Sequence, residues 1–274
     1  MDLNEIKNRL SAMQSKAAPK TERKNVFWKP SVGKQVVRVV PSAYNKSNPF
    51  SELHFYYGIG NKVMVSPTVF GEKDPIAEFA KQLRQTSDKD NWRLAKKLDA
   101  KLRIFVPVIV RGEENEGVKL WQFGKELYME FLNLADNEDV GDFTDPVSGR
   151  DITVTTVGPE VTGTAYNKST IMPKIKESAL SSDASEVQSW LENQPNPKEV
   201  FKRYSFDEMK NALQEWLSPE EAEEGDIIDD EKEEEVIATT PQKNYSIKTP
   251  TAAKVSKADQ FDSLFEEEDD DLPF

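Results

Sequence analysis

Residues 81–103 carry eight basic side chains against three acids: Lys81, Arg84, Lys89, Arg93, Lys96, Lys97, Lys101 and Arg103, with Trp92 among them. The stretch LRIFVPVIVR (102–111) overlaps its end. In a strand, alternation puts Leu102, Ile104, Val106, Val108 and Val110 on one face, and Arg103, Phe105, Pro107, Ile109 and Arg111 on the other. The first set reads as a buried interior. The second places an aromatic ring between two guanidinium groups. Cations neutralise phosphates and flat rings stack on bases, so the mixture suits a groove that follows a single nucleic-acid strand. The same residues also suit a solvated basic helix beside core aromatics, and the local pattern leaves both open.

Catalytic chemistry finds less to work with. There is no G-x-x-x-x-G-K-S/T phosphate loop, no G-x-G-x-x-G after a strand and no G-x-S-x-G around any serine. The single histidine, His54, is the only residue available for a His-based triad, and the absence of cysteine excludes thiolate chemistry and disulfides. Carboxylates are plentiful but crowd the C-terminal end. A metal-dependent nuclease would need inward-facing acids on strands, where this chain has Arg, Lys and aromatics. It remains the enzymatic alternative, beside an RNA-binding regulator on the same scaffold; the main reading is a protein that is not an enzyme.

The net charge of −13 conceals a gradient. Residues 1–24 carry +3, residues 25–130 carry +5, residues 131–217 carry −7 and residues 218–274 carry −14. A basic front half can hold an anion, and an acidic end can compete for the same surface. Hydrophobic content is 37%, below the usual globular share, which predicts that part of the chain does not fold by itself. No run of 18 apolar residues and no apolar signal core near the start predict a cytoplasmic protein without a membrane partner.

The elements that must position the basic and aromatic residues are mostly short strands. KQVVRVVP (34–41) is dense in β-branched residues. LHFYYG (53–58) and KVMVS (62–66) flank the turn GIGN. KLRIFVPVIVRG (101–112) and GVKLWQFG (117–124) flank EENE, and DITVTTVG (151–158) alternates again. Helices interrupt them. Asp74 and Pro75 open one over 74–86, with Ile76, Phe79, Ala80 and Leu83 on its apolar face. Ser205 and Glu208 make a capping box for another over 205–217, striped by Met209, Ala212, Leu213, Trp216 and Leu217. Leu3, Ile6, Leu10 and Met13 predict a short helix near the N-terminus, followed by a basic arm. The fold class predicted is mainly β with inserted helices (α+β), built on a small barrel with a helical and hairpin subdomain. The expected organisation is an arm over 1–24, a core over 25–217 and a disordered acidic tail over 218–274.

At three places, in order, the chain resembles the single-stranded DNA-binding, helix-destabilising proteins of T-even-type bacteriophages. These are FWKP…GKQVVRVVPS…NPF, VPVIVRGEENEGVKLWQFGKELY and ITVTTVGPEVTGTAYNKSTIMP, spanning roughly 26–175. The resemblance implies an OB-fold core that coats single strands without sequence preference in replication, recombination and repair. It also implies an N-terminal arm that links neighbouring copies and a tail that recruits replication and recombination proteins. Carried over position by position, Phe105 and Tyr166 match aromatics of the strand-binding cleft, whereas Ile104 and Gly163 fall where the family has aromatics. Trp92, Tyr56 and Trp121 are candidate replacements, each equally compatible with core packing. Arg38, Lys62, Arg84, Arg93, Lys96, Lys97, Lys101, Arg103, Arg111 and Lys168 form the expected phosphate-binding set. The family pattern includes a zinc site of one His and three Cys. Here Tyr57 stands near the histidine position and Asp74 and Ala77 stand where C-x-x-C would be, so no metal or other cofactor is expected.

The chain ends in EEEDDDLPF (266–274). Its last six residues, Asp269, Asp270, Asp271, Leu272, Pro273 and Phe274, resemble the terminal tip of bacterial single-stranded DNA-binding proteins. That resemblance implies a partner pocket for Phe274, with the carboxylates steering the encounter.

Overall fold

A computed structural model describes residues 26–217. The expected arm over 1–24 and tail over 218–274, with the six-residue tip, lie outside the described residues. Eight strands form one mixed sheet. β5 (Lys101–Val110) is its centre. β6 (Lys119–Phe123) takes one edge of β5, and β1 (Phe27–Trp28) adds to β6 in parallel. The other edge is shared. β3 (Ser51–Ile59) pairs with the first half of β5, from Ser51↔Phe105 to Phe55↔Lys101. β2 (Gly33–Val39) pairs with the second half, from Val37↔Val110 to Val39↔Val108. β7 (Ile152–Val157) and β8 (Lys168–Pro173) extend the sheet beyond β2, and β4 (Lys62–Val65) forms a hairpin with β3. Gly60 and Asn61, in the expected GIGN turn, have φ of 58° and 52°, the positive pair that a tight primed hairpin turn requires.

The sheet is not a closed barrel. Among the described residues no ladder joins β8 to β1. Pro173 has no N–H to donate, and the Ile171 N–H is already taken by the Glu130 carboxylate at 3.3 Å. Glu130 belongs to the helix Lys125–Ala135, which packs against β8 and β5. Among the described residues the six α-helices are α1 (Pro75–Gln85), α2 (Lys89–Lys97), α3 (Lys125–Ala135), α4 (Pro159–Thr162), α5 (Ala184–Glu192) and α6 (Phe206–Leu217). The class is therefore α+β. Among the described residues no helix is long and apolar enough to cross a membrane.

Two large cores and two smaller clusters hold this arrangement among the described residues. The larger joins one face of the sheet to α3 through Val37, Val39, Ile104, Val106, Val108, Trp121, Phe131, Ile152 and Val154. The second joins the β3–β4 hairpin to α1, α2 and α6 through Tyr56, Ile59, Met64, Ile76, Phe79, Leu83, Leu98, Met209 and Leu213. Each fully buried large apolar side chain contributes roughly 1.5–3 kcal/mol. The face of β5 expected to be open is covered. Ile109 packs with Leu180 and Trp190, and Phe105 packs with Leu53, Phe55, Val65 and Phe201. β5 is thus buried on both faces, which is the reading its unbroken apolar run 104–110 supports better than alternation does.

Candidate nucleic-acid interface

Register decides which side chains share a surface. Leu53↔Arg103 and Phe55↔Lys101 are cross-strand partners, so Phe55, Tyr57, Lys101, Arg103 and Phe105 face the same way. Phe55 and Phe105 are buried there; Phe27, Tyr57, Phe70 and Phe201 pack against them and remain partly accessible. Phe201 is the keystone, with ring centroids 4.9 Å from Phe55, 5.3 Å from Phe105 and 5.6 Å from Phe27. It arrives on an irregular strap between α5 and α6, KEVFKRY (198–204), which brings Lys198, Lys202 and Arg203 with it.

Cations line these rings. Over Tyr57 lie Lys101 Nζ at 5.9 Å and the Arg103 guanidinium at 5.5 Å from the ring centroid. The Arg203 guanidinium sits 3.9 Å from the Phe70 centroid and 2.5 Å from a Glu72 carboxylate oxygen. Lys202 lies 4.4 Å over Tyr204, and Lys198 Nζ donates to the Val69 carbonyl at 3.4 Å. A surface of partly open rings interleaved with cations can stack bases and neutralise phosphates together.

Most of the expected site residues fall into three groups, with Lys62, Lys168 and Tyr166 apart from them. Lys101 and Arg103 belong to this face, although Arg103 is only 6% exposed. A second group is exposed on and around α2. Trp92 is 53% exposed, with Lys96 Nζ 5.8 Å from its ring centroid. Arg93 pairs with Asp90 at 3.2 Å, Lys97 is exposed, and Arg84 on α1 pairs with Asp99. Four residues after Lys97 the chain enters β5 at Lys101, so the two groups adjoin along the sequence. Lys62, at the start of β4, is exposed; Lys168, on β8, pairs with Glu126 at 3.2 Å; Tyr166 is partly buried in the turn before β8.

The third group is structural, contrary to expectation. Phe105 is fully buried in the aromatic cluster, Trp121 is 1% exposed with its ring 5.1 Å from that of Trp28, and Tyr56 is 3% exposed. None offers a face to a base. Arg38 is fully buried, donating to the Asp145 and Ser178 carbonyls at 2.7 and 2.8 Å and lying 3.5 Å from Asp151. Burial lowers its pKa, and the Asp151 carboxylate pulls it back up. Arg111 spends its guanidinium on the same Asp151, at 2.9–3.0 Å, and on the Leu180 carbonyl at 2.8 Å. Both arginines tie the segment after β8 to the sheet; a phosphate would have to displace Asp151 to reach them. The surface of rings and cations also gathers Phe27, Tyr57, Phe70, Phe201, Lys198, Lys202 and Arg203, which are not in the set expected from the sequence. Three basic residues close to two aromatics in KEVFKRY are a usable sequence signal for the strap.

The residues do not fit the zinc that the resemblance implies. Ala77 has no ligand atom, and Tyr57 faces the cation side of β3. Both Asp74 carboxylate oxygens already accept hydrogen bonds, from Tyr56, Ser66, Ile76 and Ala77. Among the described residues no three His, Cys, Asp or Glu side chains converge as metal ligands.

Residues 31–218 match the protein family described as "gp32 DNA binding protein like". No curated protein matches the chain. The matched span covers well over half of the sequence. It takes in β2 to α6, and with them Tyr57, Phe70, Lys101, Arg103 and the Phe201 strap. On that match the chain belongs to the gp32-like family of DNA-binding proteins, which are binders of DNA rather than enzymes.

Proposed function

We propose that this protein binds single-stranded DNA without sequence preference, coating and protecting strands exposed during replication, recombination and repair in the cytoplasm, which is the host's if the protein is phage-encoded. The observation that carries the reading is the surface of partly open rings, Phe27, Tyr57, Phe70 and Phe201, set among Lys101, Arg103, Lys198, Lys202 and Arg203. Every base has a π-face and every nucleotide a phosphate, so such a surface accepts any sequence. On this reading the curled sheet is an OB-type core left open between β8 and β1. The basic residues 1–24 link neighbouring copies along the strand, and residues 218–274 recruit replication and recombination proteins through the tip Asp269–Phe274.

The test is fluorescence titration of the full chain with poly(dT) at several salt concentrations. Quenching of Trp and Tyr reports stacking, and the log–log salt slope reports phosphate contacts. Tight binding that weakens with salt, with no cleavage of labelled strands in Mg²⁺ or Mn²⁺, is expected. Absence of quenching, equal preference for a matched duplex, tighter binding to RNA of matched sequence, or cleavage that tracks the purified protein overturns the reading.

A further inference from the structure

The carboxylate of Asp74 sits at the junction of three elements. It is 2% exposed and precedes α1 as its N-cap. One oxygen accepts from the Ile76 and Ala77 N–H groups, each at 3.0 Å. The other accepts from the Tyr56 hydroxyl at 2.8 Å, on β3, and the Ser66 hydroxyl at 2.5 Å, just after β4. Four donors on two oxygens meet the hydrogen-bonding capacity of a carboxylate, and the positive end of α1 favours the charge. Burial and the neighbouring carboxylate push the Tyr56 phenol far above its ordinary pKa, so it stays a donor.

The position of this cluster along β3 gives it a consequence for binding. Pairing with β5 ends at Phe55↔Lys101, and pairing with β4 is irregular between Tyr56 and Ile59. Tyr57 lies in that gap, where few ladder bonds hold the backbone. Its neighbour Tyr56 points to the opposite face and is anchored there by Asp74, while Tyr57 lies beneath Lys101 and Arg103. A carboxylate that fixes β3 at Tyr56 therefore also fixes the side on which Tyr57 is presented.

We propose that Asp74 is a positioning residue for strand binding: its hydrogen-bond node cross-links β3, β4 and α1 without metal, in the place where the resemblance would put zinc, and holds Tyr57 in its binding orientation. This rests on the single-strand reading above.

The experiment uses the full chain, and its first arm compares thermal melting and oligo(dT) titration with and without EDTA. Both are expected to be unchanged; a large fall in melting temperature or in affinity on chelation overturns the metal-free node. The second arm compares Asp74→Asn and Tyr56→Phe with Leu83→Ala, which weakens the same core without touching the node. The node variants are expected to lose affinity for oligo(dT) several-fold and to quench less at saturation, with the salt slope unchanged, because no phosphate contact is removed. Leu83→Ala is expected to lower the melting temperature while affinity and quenching hold. If Tyr56→Phe binds and quenches like the parent chain, or no worse than Leu83→Ala of equal melting temperature, Asp74 has no positioning role. Should Asp74→Asn fail to fold, Tyr56→Phe, which keeps the buried ring, decides alone. A parent chain that shows no quenching with oligo(dT) sinks the single-strand reading and the positioning role with it, whereas the EDTA melting arm still reports on the node.

Discussion

Phe105 and Tyr57 show how burial separates two rings that composition treats alike. Phe105 is fully enclosed, so Phe105→Ala leaves a cavity and is expected to cost about 3–5 kcal/mol of folding stability, read by urea denaturation. Tyr57 is partly open beneath two cations. Tyr57→Ala is expected to cost roughly 1–3 kcal/mol of oligo(dT) binding with little change in the unfolding midpoint. A variant pair that reversed these effects would assign the rings wrongly. Arginines divide in the same way. Arg38→Ala leaves Asp151 with a weakened set of partners in a largely buried site and is expected to destabilise the fold by about 3–5 kcal/mol, while the salt slope of the protein that remains folded is unaltered. Lys202→Ala, at an exposed cation of the strap, removes only a surface pair with Glu208 and is expected to cost less than about 1 kcal/mol of stability while reducing the slope by about 0.7, measured by titration across salt.

At the scale of elements, α6 closes the second core and ends the described chain, and its start is set by a capping box. Ser205 N–H donates to the Glu208 carboxylate at 2.8 Å, and Glu208 N–H donates to the Ser205 hydroxyl at 3.1 Å. The Ser205 backbone bond, helped by Lys202, holds the Glu208 pKa below its ordinary value of 4.5. A depressed carboxylate stabilises the fold above its unfolded pKa, and that contribution disappears as pH falls through the folded value. Hydrogen exchange at the first turn of α6 is therefore expected to lose protection on acidification through and below the ordinary glutamate range. Glu208→Gln should flatten that response; an unaltered pH profile in the variant would show that the box does not control the helix end. The strap just upstream depends on the same end, because Lys202 binds Glu208 at 3.1 Å while its neighbour Phe201 fills the aromatic cluster.

For the whole molecule, charge is the organising quantity. Residues 1–217 are nearly neutral at +1, whereas residues 218–274 carry −14. Interactions between exposed charges fade beyond about 8–10 Å at moderate salt, so competition between the acidic segment and a DNA strand for one basic surface is strongest at low salt. A chain truncated after residue 217 is expected to bind oligo(dT) more tightly than the full chain at low salt, with the gap closing as salt rises. Removing only Leu272, Pro273 and Phe274 deletes no side-chain charge and is expected to leave DNA affinity nearly unchanged while abolishing capture of a replication or recombination partner. Equal effects of the two deletions on DNA binding would show that the tip acts through charge and not through docking.

Local sequence was enough for several elements. Asp74 followed by Pro75 predicts the start of α1, Ser205 with Glu208 predicts the start of α6, Gly60-Asn61 predicts the hairpin turn, and the apolar run 104–110 marks the central strand. Each depends on neighbours a few residues apart, through capping, backbone φ or side-chain alternation. α3 is not among the expected elements, although Leu127, Tyr128, Phe131 and Leu134 recur at helical spacing, because its start at Gly124 carries no side-chain cap of the kind that marks α1 and α6. Composition also settled that no thiolate zinc site can form, since the chain has no cysteine. The binding surface was a different matter. Alternation along β5 told which residues share a face, but not what covers that face. Phe201 comes from nearly a hundred residues downstream to bury Phe105, Trp190 comes to bury Ile109, and Asp151 comes to neutralise Arg38 and Arg111. Whether a ring stacks on DNA or on another ring, and whether an arginine meets a phosphate or a buried carboxylate, is decided by these long-range contacts, which periodicity along one strand does not encode.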